Sequence, residues 1–433
     1  MQVDQLLGES CGEAAPPGSR APLATLTYGT SLASVEVGTP GWPVVPGAQG
    51  PPGAPGPPGR RRRETELDQW LAGLQARVTA VLAAFVRDRC AEHVHDVPGA
   101  EFVTGLLREF VAGGKFVRST FTYLGWLSGA SEGAAGGTGD RTGERTSEGD
   151  AAVRAAASTE LVHAFALLQD DVMDRSALRR GRLAVHVRLA DWHRAQGLGG
   201  AAERFGESAA ILLGDLCLVW AEQLLRESGL SAAALARGWP RYDTLRGELA
   251  VGQFADLVND ARTSPSLEEV LDVIRRKSGN YTVRRPLELG AALAGCDEQV
   301  LGVLGEYGEL VGEAFQLRDD VLGVFGRPSV TGKPSGGDLR ERKATSVVVL
   351  AGEMASPGQR ARLDRLSGRE SLDEDHVDQW RRLITETGAA SRIEQMIASR
   401  VSAACERLDG SGLNGFVAGA LRDLAIRYTN RAW

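Results

Sequence analysis

From Leu67 onward, apolar residues recur three and four positions apart, beginning with Leu67, Trp70, Leu71, Leu74, Val78, Val81, Leu82 and Phe85. This is the repeat of a helix that buries one face. The same pattern predicts helices at about 101–128, 151–170, 203–228, 240–258, 267–294, 298–325, 340–355, 374–387, 389–407 and 412–430. No comparable alternating strand pattern competes with it. The fold class read from this density is all-α, a helical bundle, and no repeat at solenoid period divides it. One domain over 66–433 is the simplest organisation.

Two stretches break the pattern. Residues 1–65 hold eleven of the eighteen prolines and end in GPPGAPGPPGRRRR, a composition expected to stay extended and disordered. Residues 129–150, GASEGAAGGTGDRTGERTSEGD, carry neither apolar residues nor periodicity and are expected to form a mobile surface loop.

Composition narrows the function classes. With 433 residues and 43% hydrophobic content, the chain can bury a large core. A net charge of -7 and the lack of a basic stripe with interleaved aromatics argue against nucleic-acid binding. The longest apolar run, 209–221, is interrupted by Gly214 and Asp215, so no transmembrane segment is expected. No secretory signal is expected, since Asp4 and Glu9 precede the first basic residue, Arg20. Cys11, Cys90, Cys217, Cys296 and Cys405 are scattered without metal-ligand spacing and are read as reduced thiols of a cytoplasmic protein.

The chemistry concentrates in TELVHAFALLQDDVMDRSALRRGRLAVH (159–186), where an apolar helix ends in acids and then arginines. Asp170 and Asp174 are four apart, and with Asp171 they crowd one helical turn. Such mutually repelling carboxylates suit a hard cation such as Mg²⁺, which also bridges to substrate phosphates. Arg179 and Arg180 come next, with guanidinium forks that match phosphate oxygens. A second acid group, Asp319 and Asp320 in FQLRDDVLGVFG, ends another apolar helix, and Lys333, Asp338 and Lys343 lie beyond it in GKPSGGDLRERKATS. Upstream, GGKFVRS sets Lys115 and Arg118 three apart beside a flexible glycine pair. Acids for metal and cations for phosphate recur together.

These motifs, with ELVH, ILLGD, GQFADL and KSGNYT between them, resemble the trans-isoprenyl diphosphate synthases (polyprenyl synthetase family) along nearly the whole chain after residue 65. The resemblance implies an isoprenoid synthase bundle around a deep central cavity, with two aspartate motifs facing each other across its mouth. It implies about three Mg²⁺ ions held by Asp170, Asp171, Asp174 and Asp319, with Asp320 in the same second motif. Arg179, Lys277, Gln316, Lys333 and Lys343 are implied contacts of the allylic diphosphate and its metals. Lys115, Arg118, His163 and Arg180 are the implied isopentenyl diphosphate pocket. Asp170, Asp171, Asp174, Asp319 and Lys277 carry the catalysis in that scheme, and a homodimer is implied.

In this family the side chains four and five positions before the first aspartate form part of the cavity floor. Here they are Ala166 and Phe165, a pairing similar to that of synthases making the twenty-carbon geranylgeranyl diphosphate, so Phe165 is expected at the floor. The chain departs from the family pattern at Phe116, Ser119, Leu183, Ser278, Arg342 and Gly323, the last standing at the usual third aspartate of the second motif. A class I terpene cyclase is the nearest alternative, but NDARTSPSL at 259–267 has Leu267 where that class needs an acid. A non-catalytic synthase subunit is a second alternative, and it is expected to have lost the acids and cations that this chain keeps.

Overall fold

Helices make up nearly all of the described chain, as the apolar spacing dictates. The computed structural model describes residues 58–129, 144–261, 265–326 and 336–430, all within one compact unit. The first half runs α1 (Pro58–His93), α2 (Ala100–Ala112), α3 (Val117–Gly129) and α4 (Glu144–Met173). A short hairpin, β1 (Leu178–Arg179) and β2 (Arg182–Leu183), leads to α5 (Val185–Ala195), α6 (Ala202–Arg226) and α7 (Ala232–Asp260). Next come α8 (Leu267–Val273), a π-helix (Ile274–Arg284), α9 (Arg285–Ala294) and α10 (Glu298–Phe325). The chain closes with α11 (Gly337–Arg340), α12 (Ser346–Met354), α13 (Pro357–Ser367), α14 (Glu374–Thr387), α15 (Ala389–Leu408) and α16 (Gly415–Thr429).

The departures from expectation are local. Most of the 1–65 tail and of the 129–150 loop lies outside the described residues, but α1 begins at Pro58 and α4 at Glu144, inside both stretches. The helix expected at 101–128 is two helices, parted at Gly113 and at Gly114, whose φ of 137° is open to glycine and not to other residues. Residues 267–294 change winding twice. No apolar pattern marks the hairpin: Arg180 and Gly181 form its turn with φ of 54° and 74°, the doubly left-handed geometry of a tight two-residue connection.

Packing between helices relies on backbone approach. A Cβ on Gly125 of α3 would collide with the Leu287 carbonyl of α9, and one on Gly290 of α9 with the Thr122 carbonyl of α3. The pair therefore cross with no side chain between them. Gly312 of α10 meets Gly279 of the π-helix in the same way.

Two apolar clusters result. The larger gathers α1–α4, α6, α7, α9 and the first part of α10 around fully buried Trp220, Tyr242, Tyr307 and Phe121. The smaller lies under the end of α10 and holds Leu339, Val347, Val377, Leu383, Ile384 and Ile393. Arg318 ties α10 to the C-terminal helices, with its guanidinium 2.7 and 2.6 Å from the Glu394 carboxylate and 2.6 Å from the Thr429 carbonyl.

Among the described residues, three helices, over 66–93, 147–173 and 202–226, are long and apolar enough to cross a membrane by length and composition. This corrects the expectation of no candidate span, which counted only uninterrupted apolar runs and so passed over alanine-rich helices with isolated polar residues. In the second of them, 72% of the apolar window is buried inside the protein.

Candidate active site

A cavity of about 490 Å³ opens between α4, α7, the π-helix, α10 and the α11–α12 segment. Asp170 of the first acid group and Asp319 and Asp320 of the second line it, whereas Asp171 and Asp174 are not among its lining residues. Backbone hydrogen bonds from Asp174 to Asp170 and from Ser176 to Asp171 close the last turn of α4 and hold the acids together.

The expected cations interleave with these acids. Lys277 Nζ lies 3.2 Å from Asp170 Oδ1 and also donates to Asp256 on α7. Gln253, one turn before Asp256, reaches the same Asp170 oxygen at 3.3 Å. Arg179 Nε donates to Asp171 Oδ1 at 2.8 Å, and its Nη2 lies 3.6 Å from Asp170. Lys343 pairs with Asp174. Each of the three acids of the first group is thus paired with a cation.

Burial alone pushes the Asp170 carboxyl up, but Lys277, Arg179 and Lys343 outweigh it and hold that group below the usual range. Asp171 goes the other way, because it is 1% exposed and burial exceeds what Arg179 returns. Lys277 and Lys343 are both held above the ordinary lysine value: their acid partners overcome the burial that lowers them.

On the opposite wall, Asp319, Asp320 and Gln316 of α10 line the cavity, yet the two aspartates differ. Asp320 accepts from the Ser346 N–H at 2.9 Å, from its hydroxyl at 2.7 Å and from Gln316 at 3.0 Å. It is 5% exposed, and burial raises its pKa. Its Oδ2 anchors the start of α12 through Ser346, and its Oδ1 takes the Gln316 amide one turn back on α10.

Most of the residues expected to hold isopentenyl diphosphate also come together. Lys115, Arg118 and His163 line the cavity together with Ser278, Tyr281 and Thr282. The Arg118 guanidinium lies 4.2 Å from the Tyr281 ring centroid and donates to Thr282 at 3.0 Å. Ser119 offers its N–H and hydroxyl to Glu160 of α4 at 2.9 and 2.8 Å, two donors that the proline common at this position would lack. His163 Nδ1 is buried without a partner, and burial, then Arg118, Arg180 and Arg179, hold this imidazole well below its ordinary pKa.

Other expected residues fall elsewhere. Arg180 is not among the cavity-lining residues; the hairpin turn sends it to the Phe110 and Gly113 carbonyls at the end of α2. Phe165 and Ala166 both pack against the larger apolar cluster, and Ala166 and Leu167, not Phe165, are among the cavity-lining residues. Five residues before Asp170, Phe165 has turned past the cavity face that the four-residue step to Ala166 keeps. Lys333 lies outside the described residues.

Sequence reasoning alone assigns no role to Gln253, Asp256 or Tyr281. All three stand in the motifs GQFADL and KSGNYT, and the three-residue step from Gln253 to Asp256 is the signal that could have found that pair.

The chemistry of the donor set suits a divalent metal, although among the described residues no three acids stand close enough together to hold one. The set is all carboxylate, and Asp171 Oδ2 is buried with no hydrogen-bond partner.

A model of the polyprenyl synthetase family matches residues 100–384. The geranylfarnesyl diphosphate synthase of Aeropyrum pernix is 32% identical over 246 residues, 56% of this chain and 71% of that one. The (2E,6E)-farnesyl diphosphate synthase of Mycobacterium tuberculosis is 34% identical over 287 residues, 65% of this chain and 74% of that one. Among solved structures, geranylgeranyl pyrophosphate synthase from Corynebacterium glutamicum, complexed with isoprenyl diphosphate and magnesium, superposes with a TM-score of 0.75 at 36% identity, covering 84% of this chain and 99% of that one. With two acid-bearing helices and their cations arranged around one cavity, the chain belongs to the polyprenyl synthetase family, the trans-isoprenyl diphosphate synthases that join isopentenyl diphosphate to an allylic diphosphate.

Proposed function

We propose that this chain is a Mg²⁺-dependent synthase of geranylgeranyl diphosphate. The observation that carries the reading is the interleaving of Asp170, Asp171 and Asp174 with Arg179, Lys277 and Lys343 beside a cavity whose wall below Asp170 is the methyl group of Ala166.

Asp170, Asp171, Asp174 and Asp319 are the residues that would hold the metal. Bound Mg²⁺ would supply Lewis-acid stabilisation of the charge that gathers on the departing diphosphate. Arg179, Lys277 and Lys343 move from their carboxylate partners to that diphosphate and stabilise the same charge. Lys115, Arg118 and neutral His163 orient isopentenyl diphosphate across the cavity. Leu249, Val270, Val273, Ile274 and Phe315 give the cavity an apolar lining that excludes water from the reacting carbon.

Ala166 stands one helical turn, about 5.4 Å, below the acids. An alanine there leaves room for a growing chain that an aromatic side chain would stop, which favours a twenty-carbon product over a fifteen-carbon one.

A homodimer accords with the apolar residues that α6 and α7 leave in solvent. Leu212 is 67% exposed and Val219 62%, with Val251 at 58% and Phe254 at 69% on α7.

The test is product analysis with the full chain, Mg²⁺, labelled isopentenyl diphosphate and each allylic primer in turn. A dominant twenty-carbon alcohol after dephosphorylation supports the assignment. A fifteen-carbon or much longer product retires the chain-length reading, and a cyclic hydrocarbon formed from the allylic substrate alone points to a cyclase.

A further inference from the structure

Gly323 stands one turn beyond Asp319 on α10, and its missing side chain is not empty space. A Cβ built there falls 3.0 Å from Asp338 Oδ1 and inside contact distance of Asp338 Cγ and Oδ2. The carboxylate of Asp338 therefore fills the volume that a side chain at 323 would need. It reaches that volume from α11, and it lines the same cavity as Asp170, Asp319 and Lys343.

The position of Asp338 is imposed from behind. Leu339, its neighbour, is fully buried in the smaller apolar cluster. Arg340 donates to the Leu372 carbonyl and lies 2.6 Å from Glu374. Across the same junction, Arg381 Nε donates to the Val324 carbonyl at 2.8 Å, so α14 grips the end of α10 beside Gly323. The backbone N–H of Lys343 closes on the Asp338 carbonyl at 2.9 Å, linking this acid to the cation that holds Asp174. A side chain fixed on both flanks needs little further ordering to act as a ligand.

We propose that Asp338 supplies to the second acidic motif the carboxylate that α10 lacks at Gly323, binding a divalent cation directly or through one of its waters. A hard carboxylate oxygen is the ligand such an ion takes. The exchange is steric as well as chemical: a side chain at 323 would have to displace the Asp338 carboxylate from this place. The proposal rests on the diphosphate-metal reading of this cavity.

The test is titration of the full chain with Mn²⁺ in the presence of inorganic diphosphate, read by the electron paramagnetic resonance signal of free Mn²⁺. Asp338→Asn keeps the shape and removes the charge, and it is expected to weaken Mn²⁺ binding about tenfold or more. The paired exchange Gly323→Asp with Asp338→Gly returns the carboxylate to α10 and is expected to recover most of that loss. Circular dichroism melts accompany every variant. If Asp338→Asn binds Mn²⁺ as the parent does, the proposal is overturned, and it is overturned equally if a paired variant that melts like the parent recovers nothing. Should the paired variant fail to fold, the Asp338→Asn result decides alone. Asp170→Asn separates the two readings. If it too binds like the parent, the diphosphate-metal reading has failed and Asp338 falls with it; if only Asp170→Asn weakens binding, Asp338 alone is wrong.

Discussion

Lys277 of the π-helix and Asp170 of α4 lie 3.2 Å apart, 107 positions separated in sequence, and each has a second partner of opposite charge, Asp256 and Arg179. The acids of the site are therefore already paired with its own cations. Mg²⁺ arriving alone must break these pairs and leave the cations uncompensated; arriving with diphosphate, it leaves them a new partner. Inorganic diphosphate is expected to tighten Mg²⁺ binding by about 1–3 kcal/mol, with the reciprocal effect of Mg²⁺ on diphosphate. Calorimetric titration of each in the presence and absence of the other measures it, and independent binding would refute the exchange of partners.

The two aspartates of the second motif should separate in their effects. Asp320 anchors Ser346 and the start of α12, so Asp320→Ala is expected to cost about 1–3 kcal/mol of stability, since it strands buried donors. Asp319→Asn, at a cavity-lining acid, is expected to lower kcat by about a hundredfold or more. Chemical denaturation of the first variant and steady-state turnover of the second check these outcomes. Unchanged turnover in Asp319→Asn would remove it from the site.

Chain length should respond at 166 rather than 165. Ala166→Phe puts an aromatic ring into the cavity one turn below Asp170 and is expected to shorten the main product by one isoprene unit. Phe165→Ala is expected to lower stability by about 3 kcal/mol, as loss of a packed aromatic does, without lengthening the product. Chromatography of the dephosphorylated products reads both, and a longer product from Phe165→Ala would restore it as the floor.

His163 makes stability depend on pH. Its folded pKa lies well below the ordinary 6.5, so below pH 6.5 the unfolded chain binds a proton that the folded chain refuses. Stability is full above that value and falls as pH drops toward the folded pKa, by up to about 1.4 kcal/mol per pH unit. His186, also lowered by burial, adds in the same direction. Urea melts at pH 7.5, 6.5 and 5.5 are expected to show a smaller loss for His163→Gln than for the parent. Equal losses would mean that His163 does not titrate in this window.

Where side chains act on their own helix, the sequence was legible. The helices at 374–387 and 389–407 fall within a residue of expectation because a single apolar face sets each, and 298–325 because it is buried on nearly every side. Helix α5 is short and rich in charged residues, and the hairpin rests on two left-handed residues rather than on any alternating pattern. In the site, the acids and most cations could be named because a motif groups them. Asp338 and Gly323 could not be paired, since only the fold brings α11 against α10. Phe165 and Ala166 could not be told apart for a related reason: one residue of spacing turns a side chain about 100° around the helix, and the motif does not say which of two neighbours faces inward.

The π-helix fixes the length of the chain where it matters most. Over Ile274–Arg284 each turn takes about one residue more than an ordinary helical turn, and from these wide turns Lys277, Ser278, Tyr281 and Thr282 enter the cavity. A deletion of one residue there would let the segment relax to normal winding and rotate α9 by about 100°. Gly290 would then turn away from the Thr122 carbonyl, and a side chain would enter the bare crossing of α3 and α9. Insertions and deletions can accumulate between helices, but within these eleven residues the chain has no slack.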